Sequence, residues 1–199
     1  MIIGLTGGIG SGKTTVAEFF KKFKSVAVYV ADTEAREIMN SSSLIKTKLI
    51  AAFGKESFKD NQLDRAYLAT IVFKNTEKLA VLNSIVHPEV QKHFHEFVIQ
   101  NKKKSYILYE SAILFESKSA LQFDFVITVY ATIEERIRRV LERDKTTQKE
   151  VLNRINNQWK EDKKLLLSNY IIHNYELKKT KASVLKIHNI LTEKARSIL

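Results

Sequence analysis

The chain has 199 residues, of which 44% are hydrophobic, enough to bury a full core in one α/β domain with an inserted subdomain. It contains no cysteine, which excludes a disulfide framework and a cysteine-ligated zinc site. The net charge of +11 favours an anionic partner, either a nucleic acid or a small polyanion such as a nucleotide. No basic leader precedes the first strand and no apolar run approaches about 18 residues, so a soluble, cytoplasmic protein without a membrane partner is expected.

A glycine-rich loop follows the first predicted strand. Residues 1–6 form an apolar run typical of a strand, and Gly7 to Thr14 fit the phosphate-loop pattern G-x-x-x-x-G-K-[ST]. Residues 16–23 then carry apolar side chains at the i, i+3, i+4 and i+7 spacing of a helix. Four of the six glycines stand in this loop: Gly7, Gly8, Gly10 and Gly12. The alternative is a tight turn with an incidental lysine, but motif and context together favour a nucleotide site.

The expected nucleotide contacts come from consecutive positions of this loop. Its backbone N–H groups, with a helix N-terminus behind them, form a cavity suited to phosphate oxygens. Lys13 would reach the β- and γ-phosphates, and the Thr14 hydroxyl would ligate Mg²⁺. The residues expected to contact the nucleotide here are Gly8, Gly10, Ser11, Gly12, Lys13, Thr14 and Thr15.

Apolar runs separated by helical patterns predict a five-stranded parallel sheet flanked by helices, which is an α/β fold. The predicted strands are Ile2–Thr6, Val26–Val30, 106–109, Phe125–Tyr130 and Tyr170–His173.

The stretch 33–104 is too long for an ordinary crossover and is helical in pattern, so it predicts an inserted helical subdomain between the second and third strands. Its clearest amphipathic periodicity lies in residues 63–73 and 79–98. The only proline, Pro88, is expected to kink or break the second of these helices near His87.

A second region, residues 133–160, is predicted to form a helical lid. Ile133–Arg143 reads as a helix that carries Arg136, Arg139 and Arg143 on one face, with Arg138 off that face. A second helix is expected over 148–159. Such a face can be merely a solvated basic surface, but phosphoryl transfer needs arginines that neutralise charge, and the phosphate loop upstream favours the lid.

Several motifs behind the phosphate loop resemble the dephospho-CoA kinase family over essentially the whole chain. They are residues 4–15, Ala31-Asp32 with Ala35-Arg36, Leu63-Asp64-Arg65 with Leu68 and Val72-Phe73, His87-Pro88, Leu114-Phe115-Glu116, and Arg143-Asp144, Arg154, Gln158 and Asn174 in order. Three features depart from the family pattern: Val30 replaces an aspartate, Ala112 replaces a proline, and no glycine follows Asn174. The resemblance implies a P-loop kinase-type fold.

The implied reaction is transfer of the ATP γ-phosphoryl group to the ribose 3′-hydroxyl of dephospho-CoA, giving CoA and ADP. Asp32, just past the second strand, would be the general base, although an N-cap for the helix starting near Thr33 is the alternative. Lys13, Mg²⁺ at Thr14 and Arg139 would neutralise charge in this transfer.

The resemblance also suggests roles for residues beyond the reacting centre. Arg65, His87, Leu114 and Phe115 would contact the acceptor, while Arg143 and Asn174 would lie on the nucleotide side. Asn174 can equally cap the following turn. Glu110 can lie near the water shell of the metal or be a simple surface carboxylate. Trp159 is expected in packing rather than in base stacking.

Three other classes of protein are alternatives to the function that the resemblance implies. A nucleoside or nucleoside-monophosphate kinase shares the loop and the lid, but the large insertion and the His-Pro step argue against it. A regulatory GTPase would carry N-K-x-D and D-x-x-G motifs, which we do not find. A nucleic-acid-binding module is unsupported, because the only tight basic run is Lys102-Lys103-Lys104 and aromatics do not alternate with basic residues. The expected partners are ATP and dephospho-CoA.

Overall fold

The computed structural model describes residues 1–72, 75–117 and 123–197. Phe73, the last residue of the predicted apolar pattern 63–73, lies outside these ranges. The chain divides into two compact units, one comprising Met1–Val30 with Asn101–Leu199 and the other comprising Ala31–Gln100. No described helix is both long enough and apolar enough to cross a bilayer.

The described residues form seven strands and nine α-helices. The strands are β1 (Ile2–Thr6), β2 (Val26–Val30), β3 (Phe58–Lys59), β4 (Gln62–Leu63), β5 (Tyr106–Glu110), β6 (Phe125–Tyr130) and β7 (Tyr170–His173). The helices are α1 (Lys13–Lys21), α2 (Ala31–Ser41), α3 (Ser43–Phe53), α4 (Arg65–Val72), α5 (Thr76–Gln100), α6 (Ile133–Arg143), α7 (Gln148–Asn156), α8 (Glu161–Leu166) and α9 (Leu177–Ser197).

The first unit is built on a five-stranded parallel sheet in the order β2-β5-β1-β6-β7. The predicted parallel sheet is therefore confirmed, and β5 runs one residue beyond its predicted end, to Glu110. Ile3 and Leu5 of β1 are fully buried, and α1 and α9 contribute Phe20 and Leu191 to the same core. Strand β1 is the central strand of this parallel sheet. The loop that follows it lies at the carboxyl edge of the sheet, where open α/β sheets bind ligands.

The second unit, Ala31–Gln100, holds α2 to α5 around its own core. The role of an inserted acceptor-binding subdomain, expected over 33–104, stays a prediction. The unit also contains the β3–β4 hairpin, which the sequence reading did not anticipate. Asp60 and Asn61 turn this hairpin with positive φ angles of 51° and 64°, as a type I′ turn requires. The dipeptide Asp-Asn between two strands of only two residues each is a weak sequence signal for a hairpin, so the hairpin was not predicted.

Pro88 lies inside an unbroken helix, so a break near His87, one of the two expected effects, is wrong. Helix α5 runs from Thr76 to Gln100. A proline removes one main-chain hydrogen bond, but Val86 and Val90 on either side are buried, and this packing keeps the helix continuous.

Candidate active site

The phosphate loop forms the turn between β1 and α1. Gly12 ends the loop in a left-handed conformation, with φ at +90°, and α1 begins at Lys13 rather than at the predicted position 16. Thr14 and Thr15 are exposed in the first helical turn, where N–H groups have no intrahelical partner. Lys13 is buried, and its ammonium group donates to the carbonyl of Gly8 at 3.4 Å.

Several polar groups of this loop are available to a ligand. Among the residues that the structure describes, the N–H groups of Gly10, Gly12 and Thr14 have no protein acceptor. Ser11 Oγ is fully buried and likewise has no partner in the described part of the chain. Leaving a buried polar atom unpaired costs about 1–3 kcal/mol, so the loop fits a ligand that supplies hydrogen-bonding oxygens.

Three loop glycines have atoms of other elements packed against them: side-chain atoms at Gly8 and Gly12, and the main chain of Arg136 at Gly10. A Cβ on Gly8 or Gly10 would collide with Arg136, and one on Gly12 would collide with the amide of Asn174. Gly10 also has a positive φ of +80°, which side-chain-bearing residues rarely adopt. The concentration of glycine in the loop therefore has a packing cause besides the close approach of a ligand.

Arg139 of α6 contacts the second half of the loop. Its Nη1 donates to the carbonyl of Ser11 at 3.3 Å and its Nη2 to the carbonyl of Asn174 at 2.6 Å. Its Nε donates to Glu135 at 2.7 Å. A guanidinium has five N–H donors, so these three bonds leave two of them without an acceptor among the described residues. Hydrogen bonds from Arg138 and Arg139 lower the pKa of Glu135 to about 2, which keeps that carboxylate charged at neutral pH.

Arg136 is a site residue whose importance the sequence reading did not identify. It is 5% exposed, forms an ion pair with Glu161 of α8, and donates from Nε to the carbonyl of Ile9 at 2.8 Å. Glu161 in turn accepts the N–H of Gly8 at 3.2 Å. The available signal was the i, i+3 spacing of Arg136 and Arg139 on one helix face, but only the fold distinguishes a buried arginine from an exposed one.

Gln158 also reaches the phosphate loop. Its side-chain oxygen accepts the N–H of Ile9 at 2.9 Å. The helix predicted over 148–159 ends at Asn156, because Gln158 bonds to the loop and the N–H of Trp159 donates to Glu116 instead of continuing the helix. A cavity of about 520 Å³ adjoins these residues and includes Arg136, Gln158 and Glu161 in its wall.

Arg143 lies at the end of α6 and is exposed. Its guanidinium is paired with Asp144, at 2.8 Å from Nε and 3.2 Å from Nη2, and Arg154 shares the same carboxylate at 3.1 Å. These pairs lower the pKa of Asp144 and raise that of Arg143. The predicted contact of Arg143 with nucleotide stays a prediction.

Asn174 follows β7 and is buried against the loop. Its Nδ2 donates to the carbonyl of Ser11 at 2.9 Å, and its Oδ1 accepts the Thr180 hydroxyl at 3.0 Å. The side chain is thus engaged with the phosphate loop and α9, and its predicted place on the nucleotide side stays a prediction.

Glu110 ends β5 at the same edge of the sheet and is only 4% exposed. It is paired in register with Leu5 of β1 and with Val30 of β2. A simple surface carboxylate, one of the two expectations, is therefore wrong, and a place near a metal stays a prediction.

Asp32 lies in the second unit, in the first turn of α2. That helix begins at Ala31, immediately after β2, so Asp32 is inside the helix and does not cap it. The N-cap alternative is therefore wrong, and the carboxylate is exposed.

Two further candidates lie in the second unit and are accessible. Arg65 is the first residue of α4, and His87 stands before Pro88 in α5; both are exposed. Partial desolvation nevertheless lowers the pKa of His87, which favours the neutral imidazole. Contact of either residue with an acceptor stays a prediction.

Leu114 and Phe115 lie in an apolar cluster with Val126, and Leu114 is fully buried. Trp159 stacks on Phe115 with ring centroids 6.2 Å apart, which is the packing role expected for it. The neighbouring Glu116 pairs with the fully buried Lys164 at 2.8 Å. Roles for Leu114 and Phe115 as acceptor contacts stay predictions.

The family model of dephospho-CoA kinase matches residues 1–179, which include all of these candidate site residues. The chain belongs to the dephospho-CoA kinase family. The dephospho-CoA kinase of Carboxydothermus hydrogenoformans is 37% identical over 190 residues, spanning 94% of this chain and 92% of its own length. That of Bacteroides fragilis strain YCH46 is 33% identical over 172 residues, 86% of this chain and 83% of its own.

Solved structures share the fold of this chain. The crystal structure of TT1252 from Thermus thermophilus has a TM-score of 0.86 and 30% identity, with 96% of each chain covered. A dephospho-CoA kinase from Campylobacter jejuni has a TM-score of 0.64 at 24% identity, covering 96% of this chain and 97% of its own, and supports the fold alone. As a member of the dephospho-CoA kinase family the protein is an enzyme, a phosphate-loop kinase.

Proposed function

We propose that this kinase transfers the γ-phosphoryl group of ATP to the ribose 3′-hydroxyl of dephospho-CoA, giving CoA and ADP. The single observation that carries the proposal is a family match over residues 1–179 that includes a loop with unpaired N–H donors. A nucleoside or nucleoside-monophosphate kinase is the alternative enzyme.

ATP binds with its phosphates on the phosphate loop. The N–H groups of Gly10, Gly12 and Thr14 donate to phosphate oxygens, and the Ser11 hydroxyl supplies a further donor. Lys13 leaves the carbonyl of Gly8 to reach the β- and γ-phosphates. Thr15 and Arg143 would be further contacts of the nucleotide.

The residues present fit a magnesium ion that arrives with the nucleotide. Mg²⁺ is usually held by about one or two protein oxygens together with substrate phosphates and water. Thr14 offers an exposed hydroxyl, and the described residues contain no group of three or more His, Cys, Asp or Glu that could bind a metal unaided. Thr14 would hold the ion, which neutralises phosphate charge when bound.

Asp32 acts as the general base in this mechanism. Its carboxylate takes the proton of the 3′-hydroxyl while that oxygen forms a bond to the γ-phosphorus. The bond from the γ-phosphorus to the bridging oxygen breaks, and ADP leaves. Lys13 and the two remaining N–H donors of Arg139 stabilise the charge that spreads over the transferring group.

The second unit receives the acceptor in this proposal. Arg65 offers an exposed guanidinium, suited to a phosphate of dephospho-CoA by a bidentate contact. His87, with its lowered pKa, offers a neutral imidazole for a hydrogen bond. Leu114 and Phe115 would form an apolar wall beside the acceptor, and residues 133–160 would form the lid.

A panel of acceptors tests the substrate. ADP formation from ATP and Mg²⁺ is measured with dephospho-CoA, adenosine, AMP and no acceptor. We expect turnover to depend on dephospho-CoA and to stay at the no-acceptor rate with the others. Stimulation by adenosine or AMP alone would keep a phosphate-loop kinase but overturn the substrate.

A further inference from the structure

We propose that Arg136, Gln158 and Glu161, together the loop brace, are positioning residues that hold the phosphate loop in the shape that binds nucleotide. The proposal rests on the proposed function only in taking the loop to bind nucleotide phosphates.

The loop brace holds three consecutive peptide groups. Glu161 accepts the N–H of Gly8, which belongs to the peptide joining residues 7 and 8. Gln158 accepts the N–H of Ile9, in the next peptide, at 2.9 Å. Arg136 donates to the carbonyl of Ile9, in the peptide after that, at 2.8 Å. Each of these planes therefore has one side chain that fixes its rotation.

Fixing the rotation of a peptide plane at its C=O or N–H group also sets the direction of the other group. In a planar trans peptide the C=O and N–H bonds point in opposite directions. Because Arg136 holds the carbonyl of Ile9, the N–H of Gly10 points the other way, and this N–H has no protein acceptor in the described structure. A donor that is aimed before the ligand arrives binds phosphate without a further loss of backbone freedom.

The Gln158 contact acts on the catalytic lysine. The carbonyl opposite the N–H of Ile9 is that of Gly8, which accepts both the N–H of Ser11 at 3.1 Å and the ammonium of Lys13 at 3.4 Å. Gln158 thus fixes the peptide plane whose carbonyl accepts the Lys13 ammonium before nucleotide binds.

The loop brace is built as a desolvated site rather than a surface ion pair. The side chains of Arg136 and Glu161 are 6% and 13% exposed, and a Cβ on Gly8 would approach Glu161 Oε2 to 2.6 Å. Arg138 and Glu142 on the same helix α6 form a comparable pair that is 55% and 61% exposed and does not contact the loop. A buried pair that also satisfies main-chain groups has a well-defined geometry, whereas an exposed pair contributes little.

The experiment compares Glu161→Ala and Gln158→Ala with Glu142→Ala, which removes a glutamate from the exposed pair. Dissociation constants for Mg-ADP and for dephospho-CoA, and the Tm, are measured for each variant. Loss of a hydrogen bond at a charged or desolvated group predicts an Mg-ADP dissociation constant raised about tenfold for both brace variants. Glu142→Ala should match the wild type, and the affinity for dephospho-CoA should change little throughout.

One further variant, together with Gln158→Ala, separates positioning from bulk stability. Glu161→Gln retains an acceptor for the N–H of Gly8 and should recover most of the Mg-ADP affinity that Glu161→Ala loses. Gln158→Ala does not leave a buried charge without its partner, so it tests the proposal even if Glu161→Ala does not fold. A lowered Tm with unchanged Mg-ADP affinity in folded Gln158→Ala would overturn the proposal, as would tighter binding in Glu161→Ala, which would make the carboxylate a competitor of phosphate.

The outcome is independent of the acceptor. If the wild type does not phosphorylate dephospho-CoA but the brace variants weaken Mg-ADP binding, the proposed function fails and the loop brace stands. If dephospho-CoA is phosphorylated and the brace variants bind Mg-ADP like the wild type, the proposed function stands and the loop brace fails.

Discussion

Single residues of the same type have different tasks in this site because their surroundings differ. By spacing, one face of α6 carries Arg136, Arg139 and Arg143. Arg136 is nevertheless buried against Glu161, and Arg139 donates to a carbonyl of the loop. Arg143 instead pairs with its neighbour Asp144 at the surface. Burial and partner therefore determine what each arginine can do.

Replacing Asp32 by asparagine tests the general base. The amide keeps the size of the side chain but cannot accept the proton, so kcat should fall by about 10²- to 10⁴-fold. Binding of Mg-ATP, measured by calorimetry, should stay within error because the proposed contact of Asp32 is with the acceptor and not with ATP. A kcat close to that of the wild type would remove Asp32 from this role.

Replacing Arg139 by alanine tests stabilisation of the transferring group. Loss of its hydrogen bonds to charged phosphoryl oxygens should lower kcat by about 10- to 100-fold, with a smaller rise in KM for ATP. Arg138→Ala is the matched control, since Arg138 is bonded to Glu135 and Glu142 at the exposed side of the same helix. An unchanged kcat with weaker ATP binding would make Arg139 a contact to bound ATP only.

At the scale of elements, the positions of the five strands of the parallel sheet followed directly from the sequence, whereas the β3–β4 hairpin did not. Val26–Val30, Phe125–Tyr130 and Tyr170–His173 end where the apolar runs end, and α6 begins after Thr132, whose hydroxyl accepts the N–H of Glu135. Local pattern and capping chemistry suffice for such elements.

Long-range contacts could not be derived in the same way. The ion pair of Arg136 and Glu161 joins residues 25 apart in the sequence. The end of α7 at Asn156 depends on the hydrogen bond in which Gln158 accepts the N–H of Ile9. Pro88 inside α5 shows the same limit, since packing of the flanking valines overrode a strong local helix breaker. The phosphate loop itself was predictable because its motif is contiguous.

Helix α9 is fixed to the sheet by a histidine that should make stability depend on pH. His188 Nδ1 lies 2.8 Å from the Tyr106 hydroxyl, and its ring stacks on Phe23 with centroids 3.7 Å apart. Burial lowers the pKa of His188, so the unfolded chain binds a proton more readily than the folded protein. The free energy of unfolding should therefore fall as pH drops below about 6.5, the ordinary histidine pKa, through the lower value of the folded state.

Denaturant unfolding between pH 8 and pH 5 checks this expectation. His188→Gln should be less stable at pH 8, because it loses the ring stack, but should lose less stability on acidification than the wild type. His95→Gln, at an exposed position of α5, should keep the wild-type slope. Equal slopes in His188→Gln and the wild type would contradict the assignment.

At the scale of the whole molecule, the proposed site residues are found in both compact units. Met1–Val30 with Asn101–Leu199 carries the phosphate loop and its supporting side chains, and Ala31–Gln100 carries Asp32, Arg65 and His87. The net charge of +11 suits two polyanionic ligands, since ATP and dephospho-CoA both bear phosphates.

The most direct test follows the phosphoryl group itself. Protein, Mg²⁺, dephospho-CoA and ATP labelled in the γ-phosphate are mixed, the product is identified by mass, and a 3′-nucleotidase is applied to it. We predict label in a product with the mass of CoA and its release by the 3′-nucleotidase. Label that remains in ATP, or that enters a product resistant to the 3′-nucleotidase, would contradict transfer to the 3′-hydroxyl.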